Sequence, residues 1–293
     1  MIWLFISMLF LIKSCNPNPG ADLKLHYDRP ATCFEEALPL GNGQLGATVY
    51  GDPVHERISL NDITLRSDET YLPLGTLHIE YPQAEITDYS RVLDISTATA
   101  IISYKRDGNP VRIHCFVSAP DSALVINIQA DKPIEFKLTL DSPLPHEIDG
   151  SPKEILLDGY APYHANLYDP ERGIHFRTFL AASADGRIMP DLQGGLDLYD
   201  IRYATICLAN ATSFNGPDKD PVKEGRPYKK IVGKQLMRAF QKGFKATHEA
   251  HVKDYQVLFN SVSPDLGHYL LISSTHTTDA SATPQLFWSE SIE

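Results

Sequence analysis

From Leu25 to about Val232 the chain is a succession of short apolar–polar alternations cut by Gly, Pro and Asp, and near Lys234 this period of two gives way to a period of three to four. Successive side chains on a strand face opposite ways, so a half-buried strand reads as alternation. The runs cover residues 47–50, which stop at Gly51, and 77–81, which stop at Pro82. Residues 100–105 lead into Asp107-Gly108, a two-residue hairpin signal, and residues 111–117 follow it. Residues 124–128, 134–140, 174–180 and 203–209 continue the series. Many short strands between turn residues specify a mainly β fold, an antiparallel β-sandwich, here over residues 25–233. No helices of about 10–15 residues alternate with the strands, which disfavours a parallel α/β sheet. Beyond them Leu236, Phe240, Phe244, Val252, Tyr255, Leu258 and Phe259 mark one face of a helix, with Pro264 and Gly267 as its stops. This predicts a linker helix over residues 234–266. A second apolar run, Tyr269-Leu270-Leu271-Ile272, opens residues 267–293.

The N-terminus differs in kind. Residues 1–12, MIWLFISMLFLI, are apolar but too short for a membrane span, which needs about 20 residues. They suit the core of a signal peptide. The following Lys13-Ser14-Cys15 resembles a bacterial lipobox, which makes residues 1–15 a lipoprotein-type signal with Cys15 acylated. A cleaved secretory signal and a misassigned start remain the alternatives. Export follows from the first two, to the periplasm or outer membrane or cell surface, with Cys15 as the membrane contact. Asn16-Pro17-Asn18-Pro19-Gly20 reads as extended, so residues 16–24 form a tether. Acylated Cys15 would leave Cys33, Cys115 and Cys207, an odd set at spacings that match no metal motif, and these read as isolated buried thiols on strands. The net charge is −11, and no Lys/Arg cluster offsets it, which excludes nucleic acid as a partner. A hydrophobic content of 43% argues against a disordered chain.

Two signatures stand near the start of the sandwich, Glu36-Ala37-Leu38-Pro39-Leu40-Gly41-Asn42-Gly43-Gln44-Leu45-Gly46-Ala47 and Glu56-Arg57-Ile58-Ser59-Leu60-Asn61-Asp62-Ile63-Thr64-Leu65. They are followed in order by Tyr71-Leu72-Pro73-Leu74-Gly75-Thr76-Leu77, Tyr89-Ser90-Arg91-Val92-Leu93-Asp94-Ile95, Ser118-Ala119-Pro120-Asp121 and Leu208-Ala209-Asn210-Ala211-Thr212-Ser213-Phe214. HVKDYQVL at residues 251–258 and YLLISS at residues 269–274 complete the series. Together they resemble glycoside hydrolase family 95, the α-L-fucosidase family, over most of residues 25–293. The resemblance implies a β-sandwich (supersandwich), a linker helix and the start of an (α/α)6 barrel. It further implies an inverting hydrolase of terminal fucose, with a Glu general acid and an Asp–Asn group that activates water, and no metal or organic cofactor. Fucosylated oligosaccharides and the barrel itself are then the partners. Arg66 stands where the family has Trp. Ser67 runs almost directly to Tyr71, and Asp265-Leu266-Gly267 directly into His268-Tyr269, where longer connections are usual. The catalytic groups of the family are expected beyond Glu293, so this chain is expected to be truncated and inactive alone. A carbohydrate-binding or structural module and a nonfunctional fragment are the other readings.

Several residues are candidates for sugar contact. Gly41-Asn42-Gly43 lacks the context of a phosphate-binding loop and reads as a tight turn or as a loop facing the catalytic domain. Adjacent Glu35 and Glu36 would face opposite ways on a strand and make a poor acid–base pair, although Glu36 can border a pocket. Asn61 and Asp62 suit sugar hydroxyls or form a turn. Trp288 can stack on a sugar ring or fill a barrel core. His248 and His251 lie three apart on the predicted helix without a third metal ligand.

Overall fold

The computed structural model describes residues 23–67, 70–262 and 264–279. The first strands are β1 (Lys24–Tyr27), β2 (Leu38–Gly41), β3 (Leu45–Val49), β4 (His55–Ser67) and β5 (Thr70–Glu80). Next come β6 (Ile86–Asp94), β7 (Thr99–Arg106), β8 (Asn109–Ser118) and β9 (Ala123–Asp141). The series closes with β10 (His146–Ser151), β11 (Glu154–Tyr160), β12 (His175–Ala184), β13 (Arg187–Pro190) and β14 (Leu196–Thr212). Helices α1 (Tyr228–Phe259) and α2 (Leu266–Thr275) follow. Strand pairing is antiparallel throughout. The mainly β, antiparallel architecture followed by helices is the one the alternation predicts.

One layer runs β1-β6-β7-β8-β9-β14-β12-β11-β10, and β2, β3, β4 and β5 join it in sequence through β9. Strand β9 makes this possible. Its first half pairs with β8, while Lys137–Asp141 pairs with β5. Register shifts between β9 and β14 near Ile201 bend both strands where they pass from one layer to the other. The two predicted strands at 124–128 and 134–140 are therefore one strand. The Asp107-Gly108 turn is as read: Arg106 pairs with Asn109, and both turn residues have positive φ, 49° and 73°.

The inward faces of both groups merge into one core, in which Leu40, Ile58, Leu60 and Leu77 meet Ile102, Ile113, Ile126 and Leu138. A second, smaller core lies on the outside of the long layer. There Phe116, Val125, Ala181 and Cys207 are covered by Val232, Leu236 and Ala239 of α1. Helix α1 begins at Tyr228, earlier than the apolar period indicates, and is broken at Gly243, whose φ of 71° and ψ of 169° no helix contains. It ends at Phe259, so Pro264 falls between the helices. Gly267 is not a stop: Asp265 caps α2 by accepting from the His268 N–H, and Gly267 sits in the first turn.

Candidate functional site

Glu35 and Glu36 are not on a strand. They end a short 3-10 turn, Phe34–Glu36. The Glu36 carboxylate accepts both Arg29 Nη atoms, with Nη1 at 2.8 Å, and the Thr32 N–H and hydroxyl at 3.0 Å each. The Arg29 guanidinium, ahead of the Thr32 N–H, holds it far below the usual carboxylate range, at about 2. The group is thus committed to closing its own loop.

The Gly41–Gly43 loop is built differently. Asn42 Oδ1 accepts from the backbone of Gln44 at 3.1 Å and Leu45 at 2.9 Å, and Nδ2 donates to Ser118 O at 3.0 Å. Gly43 adopts φ 81° and its N–H donates to Ser273 O of α2 at 2.9 Å. A Cβ at Gly43 would lie 2.8 Å from the carbonyl carbon of Thr275, so only glycine lets α2 approach this closely. The loop is a tight turn that feeds β3, as one reading of its sequence has it, and it also meets α2.

From Gln44 a buried polar network runs across the sandwich. Gln44 Nε2 donates to Asp62 Oδ2 at 3.4 Å, and Asn210 Nδ2 donates to the same oxygen at 2.9 Å. Asp62 Oδ1 accepts the Thr64 N–H at 2.8 Å and its hydroxyl at 2.5 Å. The Thr64 hydroxyl also meets that of Thr212 at 2.6 Å, and Thr178 Oγ1 donates to Asn210 Oδ1 at 3.1 Å. Burial pushes the Asp62 carboxyl up, against the donors from Thr64, Asn210 and Gln44. Asp62, Asn210, Thr178 and Thr212 are all buried, and so is Asn61 at the irregularity of the β4–β5 ladder. The structure joins Asn42 and Asp62 through Gln44 and leaves Glu36 outside the network. Trp288 and Cys15 lie outside the described residues. No local sequence signal places Gln44, Thr178 and Asn210 with Asp62; only pairing across the sheet brings them together. Beside the network Arg66 lies over the Phe214 ring, 4.6 Å from its centroid, at the rim of an open cavity of about 220 Å³.

The helices are seated by the other motifs. Asp121, fully buried in the β8–β9 turn, accepts Lys242 Nζ at 2.5 Å and Ser118 Oγ at 3.0 Å, and Arg238 donates to Pro120 O. Tyr255 donates to Ile95 O at 2.7 Å and Tyr269 to Pro39 O. His251 stacks on Phe116 with ring centroids 4.7 Å apart, and its Nε2 reaches Thr97 O at 3.0 Å. Among the described residues no group of three or more His, Cys, Asp or Glu is placed to hold a metal ion. Cys115 and Cys207 are buried thiols on β8 and β14, and burial pushes Cys207 up to about 12. Cys33, read as buried on a strand, is exposed in the loop before the 3-10 turn.

The N-terminal domain model of glycosyl hydrolase family 65 matches residues 25–67 and 65–217. The chain belongs to this family of glycoside hydrolase N-terminal domains. The matched residues of the family 65 N-terminal domain hold all fourteen strands save the first residue of β1, and they stop before α1. Alpha-L-fucosidase 2 of Arabidopsis thaliana is 27% identical over 89% of this chain and 38% of that protein. The chain therefore spans well under half the length of this curated relative. A solved structure described as a kojibiose phosphorylase from the human microbiome superposes on 75% of this chain and 35% of its own, with a TM-score of 0.47 and 12% identity.

Proposed function

We propose that this domain is the sandwich half of an α-L-fucosidase-type hydrolase that removes terminal fucose from glycans, the cleaving carboxylates being supplied by a helical domain outside these residues. The observation that carries this reading is the likeness to Alpha-L-fucosidase 2, which continues along 89% of the chain yet occupies 38% of that protein. The seating of α1 and α2 supports it. The signature loop at Gly43 and the buried carboxylate of Asp121 grip helices, as a domain that positions a helical neighbour requires.

The test is hydrolysis of an aryl α-L-fucoside by purified residues 16–293, beside the same chain extended by whatever its gene encodes downstream. The expected result is turnover by the extended protein and none by the shorter one. Turnover by residues 16–293 alone would show that the catalytic groups are already present. We further infer export with acylation at Cys15, from the apolar run that precedes Ser14-Cys15. Incorporation of labelled palmitate that persists in Cys15→Ser would refute it. The alternative, a sandwich that binds carbohydrate without turnover, draws support from a separate face of the molecule.

A further inference from the structure

On the outer face of the long layer the chemistry changes along the strands. The row Phe116–Val125–Cys207–Ala181 is apolar and lies under α1. Two residues further along each strand the same face carries His114, Asn127, Thr205 and Ser183. Two further still it carries Arg112, Gln129 and Tyr203, with Ser103 of β7 beside Arg112. This last row crosses four adjacent strands. At about 4.8 Å per strand it is about 14 Å long. It floors an open cavity of about 650 Å³ whose edges include Lys105 and Arg202.

The row is held in place from below. Asn127, fully buried, donates to Ala204 O at 2.9 Å and to Thr205 Oγ1 at 3.3 Å, and its Oδ1 accepts Gln129 Nε2 at 2.7 Å. That bond fixes the Gln129 amide. Asp185 accepts the N–H groups of Arg202 and Tyr203 at 2.9 Å each, which fixes the backbone under the Tyr203 ring, 43% exposed. Lys105 and Arg202 have acidic partners, Asp88 at 2.7 Å and Asp185 at 3.6 Å. The Arg112 side chain is exposed, and its guanidinium takes no hydrogen bond or ion pair within the described residues.

We propose that this row is a binding cleft for a neutral oligosaccharide, which it would hold across β7, β8, β9 and β14. The hydroxyls of a sugar are donors and acceptors at once. They match a mixed set of one hydroxyl, one amide and one guanidinium fork, with an aromatic ring to pack against the apolar side of the sugar ring. A protein partner would look for an apolar centre, and this row has none beyond Tyr203. The near balance of paired cations and anions at the rim favours a neutral chain over a polyanion, in a molecule of net charge −11. The proposal rests on the hydrolase reading only for the class of ligand. The cleft needs no catalytic group.

The experiment is affinity electrophoresis and calorimetry of the purified chain against neutral gluco-, galacto-, manno- and xylo-oligosaccharides, for wild type, Tyr203→Ala, Arg112→Ala and Arg112→Lys. Wild type is expected to bind at least one of them. Tyr203→Ala and Arg112→Ala should each weaken that binding about tenfold with an unchanged melting temperature, as side chains exposed on a sheet face allow. Arg112→Lys, which keeps the charge and loses the fork, should weaken it too. No binding by wild type overturns the proposal, and so does binding that survives all three substitutions. Fucoside turnover by the extended protein without binding at this face would sink the cleft and leave the hydrolase reading standing. Binding at this face without turnover would do the reverse.

Discussion

Glu56 opens the second signature, yet it is 4% exposed in β4 and accepts the Tyr50 N–H at 3.1 Å. Burial pushes its carboxyl up to about 8, outweighing the N–H groups of Gly51 and Asp52 and the charge of Arg91, while the charge of Asp52 adds to the rise. A native pKa above the unfolded value means that the folded state holds the proton more tightly. The stability is full below about 4.5 and drains away as pH rises through about 8. At about 1.36 kcal/mol per unit, ionisation costs the fold about 4 kcal/mol at pH 8 and about 1 kcal/mol at pH 5. Glu56→Gln keeps an oxygen for the Tyr50 N–H and cannot ionise. Any fixed penalty for its amide donors is the same at both pH values and cancels when they are compared. Relative to wild type, the variant should gain about 3 kcal/mol between pH 5 and pH 8. At about 2–4 °C per kcal/mol for a domain of this size, its melting temperature should rise by about 10 °C relative to wild type over that range. Thermal denaturation followed by near-UV circular dichroism reads this directly. An offset between variant and wild type that is the same at both pH values, or that turns against Gln at pH 8, would show that the N–H groups and Arg91 hold Glu56 ionised.

The opposite pH dependence is expected at His251. Burial, with His248 beside it, lowers it to about 4, so it contributes stability above about 6.5 that is lost as pH falls through 4. Urea titrations of wild type and His251→Gln at pH 7 and pH 4 should show the difference between them shift by about 3 kcal/mol in favour of the variant at pH 4, with the opposite contribution of Glu56 common to both. Asp62→Ala leaves the donors of Asn210 and Thr64 without their acceptor and should cost about 3 kcal/mol. A cycle with Asn210→Ala should give a coupling of about 1–3 kcal/mol, and additive losses would show that the network is not cooperative. Gly43→Ala meets both a positive φ and the backbone of α2, and should cost about 2 kcal/mol. Hydrogen exchange should show faster exchange in α2 with little change in β8 and β9. Unchanged α2 protection would refute the seating.

The strands were legible because alternation is local and burial on one face is enough to produce it. The Asp107-Gly108 turn was legible for a stronger reason: its two positive φ angles demand these residue types. What failed was whatever depends on distant parts of the chain. Residues 124–128 and 134–140 read as two strands, but the backbone continues through Asp131-Lys132-Pro133 as one, β9. Nothing local marks Glu56 as buried, because its surroundings include Tyr81, just past β5, and Tyr104 of β7. Asn210 carries no sign that it belongs with Asp62, since their contact spans 148 positions and is set by sheet register. Helix α1 begins earlier than the apolar period indicates, and its first turns are seated by Val232, which joins Phe116 and Val125 in the outer core.

The motifs that carried the family resemblance turn out to lie mostly at joints. Gly41-Asn42-Gly43 meets α2, Ser118-Ala119-Pro120-Asp121 meets α1, and Leu208 to Phe214 meets the second signature through Asn210 and Asp62. A joint is tolerant of little, because it must satisfy buried charge and close backbone approach together. A ligand-facing row is under no such constraint, and Ser103, Arg112, Gln129 and Tyr203 belong to none of the motifs. How the sandwich holds its helices and what its open face carries thus rest on different residues. The two properties are physically separate: one depends on buried carboxylates and glycine, the other on exposed side chains whose removal leaves the core intact. Loss of glycan binding with full α2 protection, or loss of α2 protection with full binding, is what such a division requires.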